Sequence, residues 1–331
     1  MTALEPNWAR DQQEAAAITM ARHAKSFWLA TLFLPKGVAD EAAVLYRFCR
    51  AVDDIADDSP CKDTARRELE GLQRACMAGK SDEPSVHGFL QVSKRRNIPP
   101  ETAVALIDGV LSDLDKVRVQ NQTDLLRYAY HVAGVVGRMM CGVLRVRSTK
   151  ATSFAVDLGL AMQITNICRD VREDAEMGRV YIPNDLLCKH GVSAEEILDM
   201  TVSKERIRPI VNELLQLADA LYERALNGMR FIPMRSRIGI LIARRVYRAI
   251  GHKLRARHNS DPFHGRTMVG TISKIFLVGL GFFDLWHPVV LGWKSSKIDK
   301  RCATISWKDL VQPSKPDEHR HLALLATGGK Q

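Results

Sequence analysis

The chain has 331 residues, 46% of them hydrophobic, and a formal charge of +10, so it can bury a large core and is not a disordered polyelectrolyte. The positive balance suits an anionic partner, which leaves nucleic acid, an acidic membrane surface and a phosphorylated small substrate open. Seven cysteines, an odd number with no C-x-x-C pair, argue against a zinc site or a disulfide framework and fit a reducing, cytoplasmic compartment. The first residues, up to Arg22, carry Glu5, Asp11 and Glu14 and lack the basic start and apolar run of an export signal. Beyond them apolar residues recur at three and four positions while strand-like alternation is scarce, which predicts an all-α chain. Helices are expected at 9–24, 38–58, 63–78, 100–115, 123–145, 152–177, 194–200, 204–228 and 236–256. Three boundaries have a chemical cause: Pro99-Pro100 ahead of Glu101, a capping box of Ser193 with Glu196, and an Asn227-Gly228 stop. The apolar stretch 275–293 is long enough to span a bilayer, but Asp284 and His287-Pro288 interrupt it. A buried core helix is the first expectation there, and a hairpin or interfacial segment touching lipid is the second. Residues 295–331 are polar, hold Pro313 and Pro316 and read as a loose tail.

Two acidic motifs carry the chemistry. In Arg50-Ala-Val-Asp53-Asp54-Ile-Ala-Asp57-Asp58, Asp53 and Asp57 are four apart and share a helix face, with Arg50 nearly a turn earlier. Like charges at that spacing weaken a helix unless a cation sits between them, and oxygen ligands favour magnesium. Taken alone, this stretch reads equally as a solvated acidic helix end before Ser59-Pro60. The second motif, Gln163-Ile-Thr-Asn166-Ile-Cys-Arg169-Asp170-Val-Arg-Glu173-Asp174, sets Asn166, Asp170 and Asp174 at successive steps of four. Asn and Asp are mediocre helix formers, so three on one stripe favour function over packing. Arg169 and Arg172 flank these acids, and a guanidinium fork grips phosphate. Two such stripes face to face would hold a diphosphate. A basic nucleic-acid binder would interleave its cations with aromatics, which are only 6% of this chain.

The two motifs, with Ser26-Phe27, Leu34-Pro35, Tyr46-Arg47-Phe48-Cys49-Arg50 and Gly178-Arg179-Val180-Tyr181-Ile182-Pro183 around them, resemble the squalene/phytoene synthase family over about residues 20–280. The resemblance implies a single-domain helical isoprenoid synthase fold with a central apolar cavity, an extension at 1–19 and a catalytic domain at 20–294. It implies head-to-head joining of two prenyl diphosphates through a cyclopropylcarbinyl diphosphate. By position it makes Asp53, Asp57, Asp170 and Asp174 ligands of magnesium, or of manganese in its place, with Asn166 assisting. Arg50, Arg169 and Arg266 would hold diphosphate. His23, Lys25, Ser26 and Phe27 would lie beside the substrate, and Tyr46, Tyr128, Gln163, Tyr181 and Tyr247 near the diphosphate or the reacting carbons. For the tyrosines an ordinary role in the core stays open. Val132 to Gly137 and Gly159 to Ala161 would line the cavity or simply let two helices pack closely. The segments at 128–140 and 166–174 look more like the phytoene-forming branch. That branch implies geranylgeranyl diphosphate as substrate, no NADPH and a place in carotenoid biosynthesis. The alternatives are a squalene, dehydrosqualene or presqualene diphosphate synthase using farnesyl diphosphate, or a non-catalytic assembly factor of the same fold. Peripheral contact with the inner face of a membrane is compatible with each.

Overall fold

The computed structural model describes residues 18, 20, 25–257, 262–264, 267–296 and 306–311. The helices are α1 (Lys25–Thr31), α2 (Lys36–Asp58), α3 (Lys62–Ala78), α4 (Pro84–Arg96), α5 (Pro100–Ser112), α6 (Gln122–Ala129) and α7 (Val135–Val143). They continue with α8 (Ala151–Arg169), α9 (Val171–Glu176), α10 (Asn184–Lys189), α11 (Ala194–Leu198), α12 (Lys204–Ala225), α13 (Met234–Arg257) and α14 (Thr271–Asp284). No strand occurs among the described residues, where Arg118 and Val180 form an isolated bridge. Residues 9–24, expected to be helical, lie outside the described residues apart from 18 and 20.

Local chemistry sets several of these ends. Pro100 opens α5, where a missing N–H costs nothing. The Ser193 capping box is present, with Ser193 Oγ accepting from the Glu196 N–H at 3.1 Å and the Glu196 carboxylate accepting from the Ser193 N–H at 2.9 Å. The expected helix 123–145 carries a π turn at Tyr130–Gly134, and α12 gives way after Ala225 to a 3₁₀ turn at Leu226–Phe231 that contains the expected Asn227-Gly228 stop. Helix α4 was not expected. Its N-cap is Glu83, outside the usual set of capping residues, although its carboxylate does accept from the Val86 N–H at 2.7 Å.

Helix α8 lies at the centre. Val156, Leu160, Ile164 and Cys168 are fully buried, and it packs on α7, α12 and α13. A helix apolar on nearly all sides belongs in the interior. Its one deeply buried acid, Asp157, is held bidentately by Arg224 at 2.7 and 2.5 Å, which offsets the cost of burying it. The approach of α8 to the preceding helical segment depends on glycine. A Cβ on Gly137 would lie 2.3 Å from the Ala155 carbonyl oxygen, and one on Gly159 would lie 2.4 Å from that of Ala133.

Three expectations are corrected. The helix expected over 152–177 is two, because Asp170 leaves the helical conformation at φ −106°, ψ 20°. The stretch 275–293 is not a buried core helix: α14 ends at Asp284, and Ile275, Phe276, Phe283, Trp286 and Trp293 are exposed. The tail expected from 295 is partly packed. The Ser296 N–H bonds Asn227 Oδ1 at 2.9 Å, Trp307 lies beneath the Arg138 guanidinium, and Leu310 is buried.

Candidate active site

Helix α2 runs Tyr46, Arg50, Asp53 and Asp57 down one stripe, and these side chains face the end of α8 and the start of α9. Across from them stand Gln163 and Asn166 on α8, Asp170 at the break and Asp174 on α9. The break does not scatter them. The Asp170 N–H still bonds the Asn166 carbonyl, and the Asp174 N–H the Asp170 carbonyl, both at 2.8 Å. Adjacent residues do not face each other on a helix. Leaving helical geometry therefore lets Asp170 meet its own neighbour, Arg169, which forks onto it at 2.7 and 2.5 Å.

Between the two stripes lies a polar cavity of about 270 Å³, walled by Asp53, Asp57, Asp113, Asp170 and Asp174 with Arg50 and Arg179 as the guanidiniums. Five carboxylates against two guanidiniums leave it strongly acidic, and the side chains respond. Burial, with Asp57 and Asp113 nearby, pushes the Asp53 carboxyl up to about 7 in spite of Arg50. Burial and Asp170 push Asp174 up to about 8 in spite of Arg179. Asp113 rises to about 6 through burial, held back by bonds from Tyr181 and Tyr128.

Asn166 Oδ1 is buried against this wall with no hydrogen-bond partner. A crowd of carboxylates that resist ionising together, beside an orphaned amide oxygen, fits a divalent cation and its counter-anion. Among the described residues no three His, Cys, Asp or Glu side chains close into a cage of their own. That suits magnesium, which takes one or two carboxylates and fills its octahedron with water and phosphate.

A second cavity, of about 250 Å³, adjoins the first. Its size is far beyond a packing defect. Its walls are apolar, from Phe27 and Ala30 on α1, Leu45 and Tyr46 on α2, Val132, Ala133, Val136 and Gly137, Leu158 and Gly159 on α8, and Gly239 and Tyr247 on α13. Gln163 and Asn166 line both cavities and mark the junction. Gly137 and Gly159 thus do both things the sequence left open: they let helices approach and they line the cavity.

The remaining candidates sort by position. Tyr46, Phe27 and Tyr247 line the apolar cavity, and Phe27 and Tyr247 meet edge to face at 5.7 Å. Tyr128 and Tyr181 stack at 4.6 Å and donate to Asp113 at 3.0 and 2.8 Å, so their hydroxyls are spoken for by a carboxylate. Arg169 reaches the site through Asp170 and is not itself on the cavity wall. Arg172 pairs with Glu176 on the outside at 3.0 Å and does not face the site. Lys25 and Ser26 open α1, while His23 and Arg266 lie outside the described residues. Two wall residues were not singled out beforehand. Asp113 is an ordinary helix-end Asp in sequence and becomes part of the site only by tertiary packing. Arg179, inside the Gly178–Pro183 motif, turns onto Asp57 at 3.3 Å.

The sequence model of the squalene/phytoene synthase family matches residues 20–271. The chain belongs to the squalene/phytoene synthase family. It is 34% identical to a phytoene synthase of Cereibacter sphaeroides, over 77% of this chain and 75% of that one. It is 36% identical to one of Rhodobacter capsulatus, over 76% of each chain. A 15-cis-phytoene synthase of a Paracoccus species is 33% identical over 79% of this chain and 88% of its own. In three dimensions this family member superposes on a dehydrosqualene synthase with a TM-score of 0.77 at 27% identity, covering 84% of this chain and 98% of that one. A squalene synthase from Alicyclobacillus acidocaldarius, 23% identical with a TM-score of 0.68, shares the fold. These likenesses make the protein a prenyltransferase with the helical fold that the resemblance implied. No helix among the described residues is long and apolar enough to cross a membrane.

Proposed function

We propose that this protein condenses two geranylgeranyl diphosphates head to head into phytoene, releasing diphosphate. The observation that carries the reading is the junction at Gln163 and Asn166, where an acidic, arginine-flanked cavity meets an apolar one. Only an amphiphile with a charged head and a long apolar tail uses both. The C20 substrate and the carotenoid product follow from the relatives named phytoene synthase.

Asp53, Asp57, Asp170 and Asp174, with Asn166, would hold magnesium or manganese. When bound, the metal supplies charge neutralisation of the diphosphate as it leaves. Arg50 and Arg179 stand on the same wall and take up the phosphate oxygens that remain, each by trading away a carboxylate, Asp54 for Arg50 and Asp57 for Arg179. Departure of diphosphate leaves an allylic cation that the second prenyl chain attacks. The apolar wall keeps water from that cation, and the aromatic rings of Phe27 and Tyr247 on that wall would stabilise its charge.

Product analysis with C15 and C20 substrates tests the reading. Phytoene from geranylgeranyl diphosphate with magnesium and without NADPH is the expected result. Turnover of farnesyl diphosphate alone, or a need for a reductant, would instead point to the squalene-forming branch.

A pH dependence follows from the crowded carboxylates. Metal binding needs Asp53 and Asp174 ionised, and burial holds them near 7 and 8, so apparent magnesium affinity rises with pH. The expected gain is roughly tenfold or more between about pH 6.5 and 8.5. Without metal the sign reverses for stability. The folded chain holds protons that the unfolded one has released above its ordinary carboxyl range, so melting in chelator falls as pH rises from about 5 to 8. Thermal melts with and without magnesium check both signs.

A further inference from the structure

We propose that the outer face formed by α14 and α1 docks on an anionic lipid bilayer, with α14 lying in the plane of the interface. Helix α14 begins at Thr271, where the match to the family's sequence model ends. One side of it is packed: Leu277, Val278 and Leu285 sit against Ile238, Ile242 and Val246 of α13, and Gly281 lets Ile242 come close. Among the described residues nothing covers the other side. Ile272, Ile275, Phe276, Phe283, Trp286 and Trp293 are between 66% and 86% exposed. Phe282 meets Phe33 edge to face at 5.9 Å, which joins this face to the exposed Trp28 and Leu32 at α1. A run of large apolar side chains on this scale marks a surface for a partner rather than for water.

Charge identifies the partner. Within 267–296 Lys294 is exposed, Lys274 is half-buried on the side of α14 that packs on α13, and the acid is Asp284, which is buried and held by Arg245 at 2.5 Å. Among the described residues this face therefore meets its partner with the exposed Lys294 and no exposed carboxylate, and the whole chain carries +10. A second copy would bring like charge to like charge, whereas an anionic headgroup layer complements it. The 14 residues of α14 extend about 21 Å, too short for a hydrocarbon core of about 30 Å, and His287-Pro288 follows. Exposed Trp and Phe with Lys294 at their end describe a helix lying in the headgroup boundary.

The position matters to the reaction. Helix α13 turns Gly239, Ile240, Ala243 and Tyr247 to the apolar cavity and Ile238, Ile242 and Val246 to α14. One helix layer therefore separates the cavity from the docking face. A hydrocarbon product would pass from one apolar phase toward another; this last clause rests on the proposed function, and the docking itself does not.

The test is co-sedimentation of the full-length protein with vesicles of phosphatidylcholine, pure or with about a third phosphatidylglycerol. The wild type and Met77→Glu, a control on exposed α3, are expected to sediment with the anionic vesicles and poorly with the neutral ones. The Phe276→Glu/Phe283→Glu double variant is expected to lose at least about tenfold in partition. Both substituted side chains are largely exposed, so the fold tolerates them, and turnover in detergent is expected to match the wild type. Wild type left in the supernatant with both vesicles, equal binding to neutral ones, or undiminished binding of the double variant would each overturn the proposal. So would a wild-type dimer in lipid-free ultracentrifugation that the double variant converts to monomer, since a second copy would then cover the face. Absence of turnover in wild type and variant alike, with vesicle binding intact, would strike the proposed function alone.

Discussion

Asp53→Ala and Asp170→Ala are each expected to lower turnover by at least about a thousandfold while the helical fold persists. The two positions face the same polar cavity from opposite walls, Asp53 on α2 and Asp170 at the break between α8 and α9, so losing either leaves a half-built clamp around the diphosphate. Their stability effects should differ, and the difference identifies the cause. Asp53 is held up to about 7 by burial and by its acidic neighbours, so removing its charge relieves repulsion. Asp53→Asn is therefore expected to melt at or above the wild-type temperature in chelator at about pH 8.5, an inactive but unharmed protein. Asp170 also neutralises Arg169, a largely buried cation, so Asp170→Ala leaves that guanidinium unpaired and should melt lower. Circular dichroism melts beside single-turnover assays separate the two effects. Full activity in either alanine variant would mean that these carboxylates do not hold the metal.

The acidic stripe of α2 was legible because 46, 50, 53 and 57 fall at helical spacing, and no tertiary information is needed to place them on one face. The second motif was legible as a set of residues and misread as a continuous helix. At the break Asp170 leaves helical geometry and meets the Arg169 fork, a side-chain pairing that periodicity does not register. Asp113 shows the opposite failure. Nothing near it in sequence is unusual, and its place in the site comes from Tyr128, fifteen residues on, and Tyr181, sixty-eight residues on. Stretch 275–293 was ambiguous for a physical reason: hydropathy reports that a segment prefers to leave water, not whether protein or lipid receives it. Gly137 and Gly159, by contrast, were left with two readings, cavity wall and close helix packing, that turn out to be the same fact.

Gly159→Ala and Gly137→Ala are expected to lower the melting temperature by at least about 5 °C, although alanine is worth about 1 kcal/mol more than glycine inside a helix. The gain is outweighed because the new methyl meets backbone rather than a movable side chain, the Ala133 carbonyl at 2.4 Å in one case and the Ala155 carbonyl at 2.3 Å in the other. A carbonyl bonded within its own helix cannot turn aside, so the two helices must separate and part with packing along their length. Gly71→Ala on α3 is the matched control. Its Cβ would find only the end of Arg74, at 3.8 Å, and the substitution is expected to be neutral or to raise the melting temperature by about 1 °C. Because Gly137 and Gly159 also line the tail cavity, the same substitutions should shift the balance between C15 and C20 substrates where protein survives, whereas Gly71→Ala should not. A Gly159→Ala protein as stable as wild type would show that the helices are not in contact there. An unchanged substrate balance in a folded variant would show that the tail does not run along this wall.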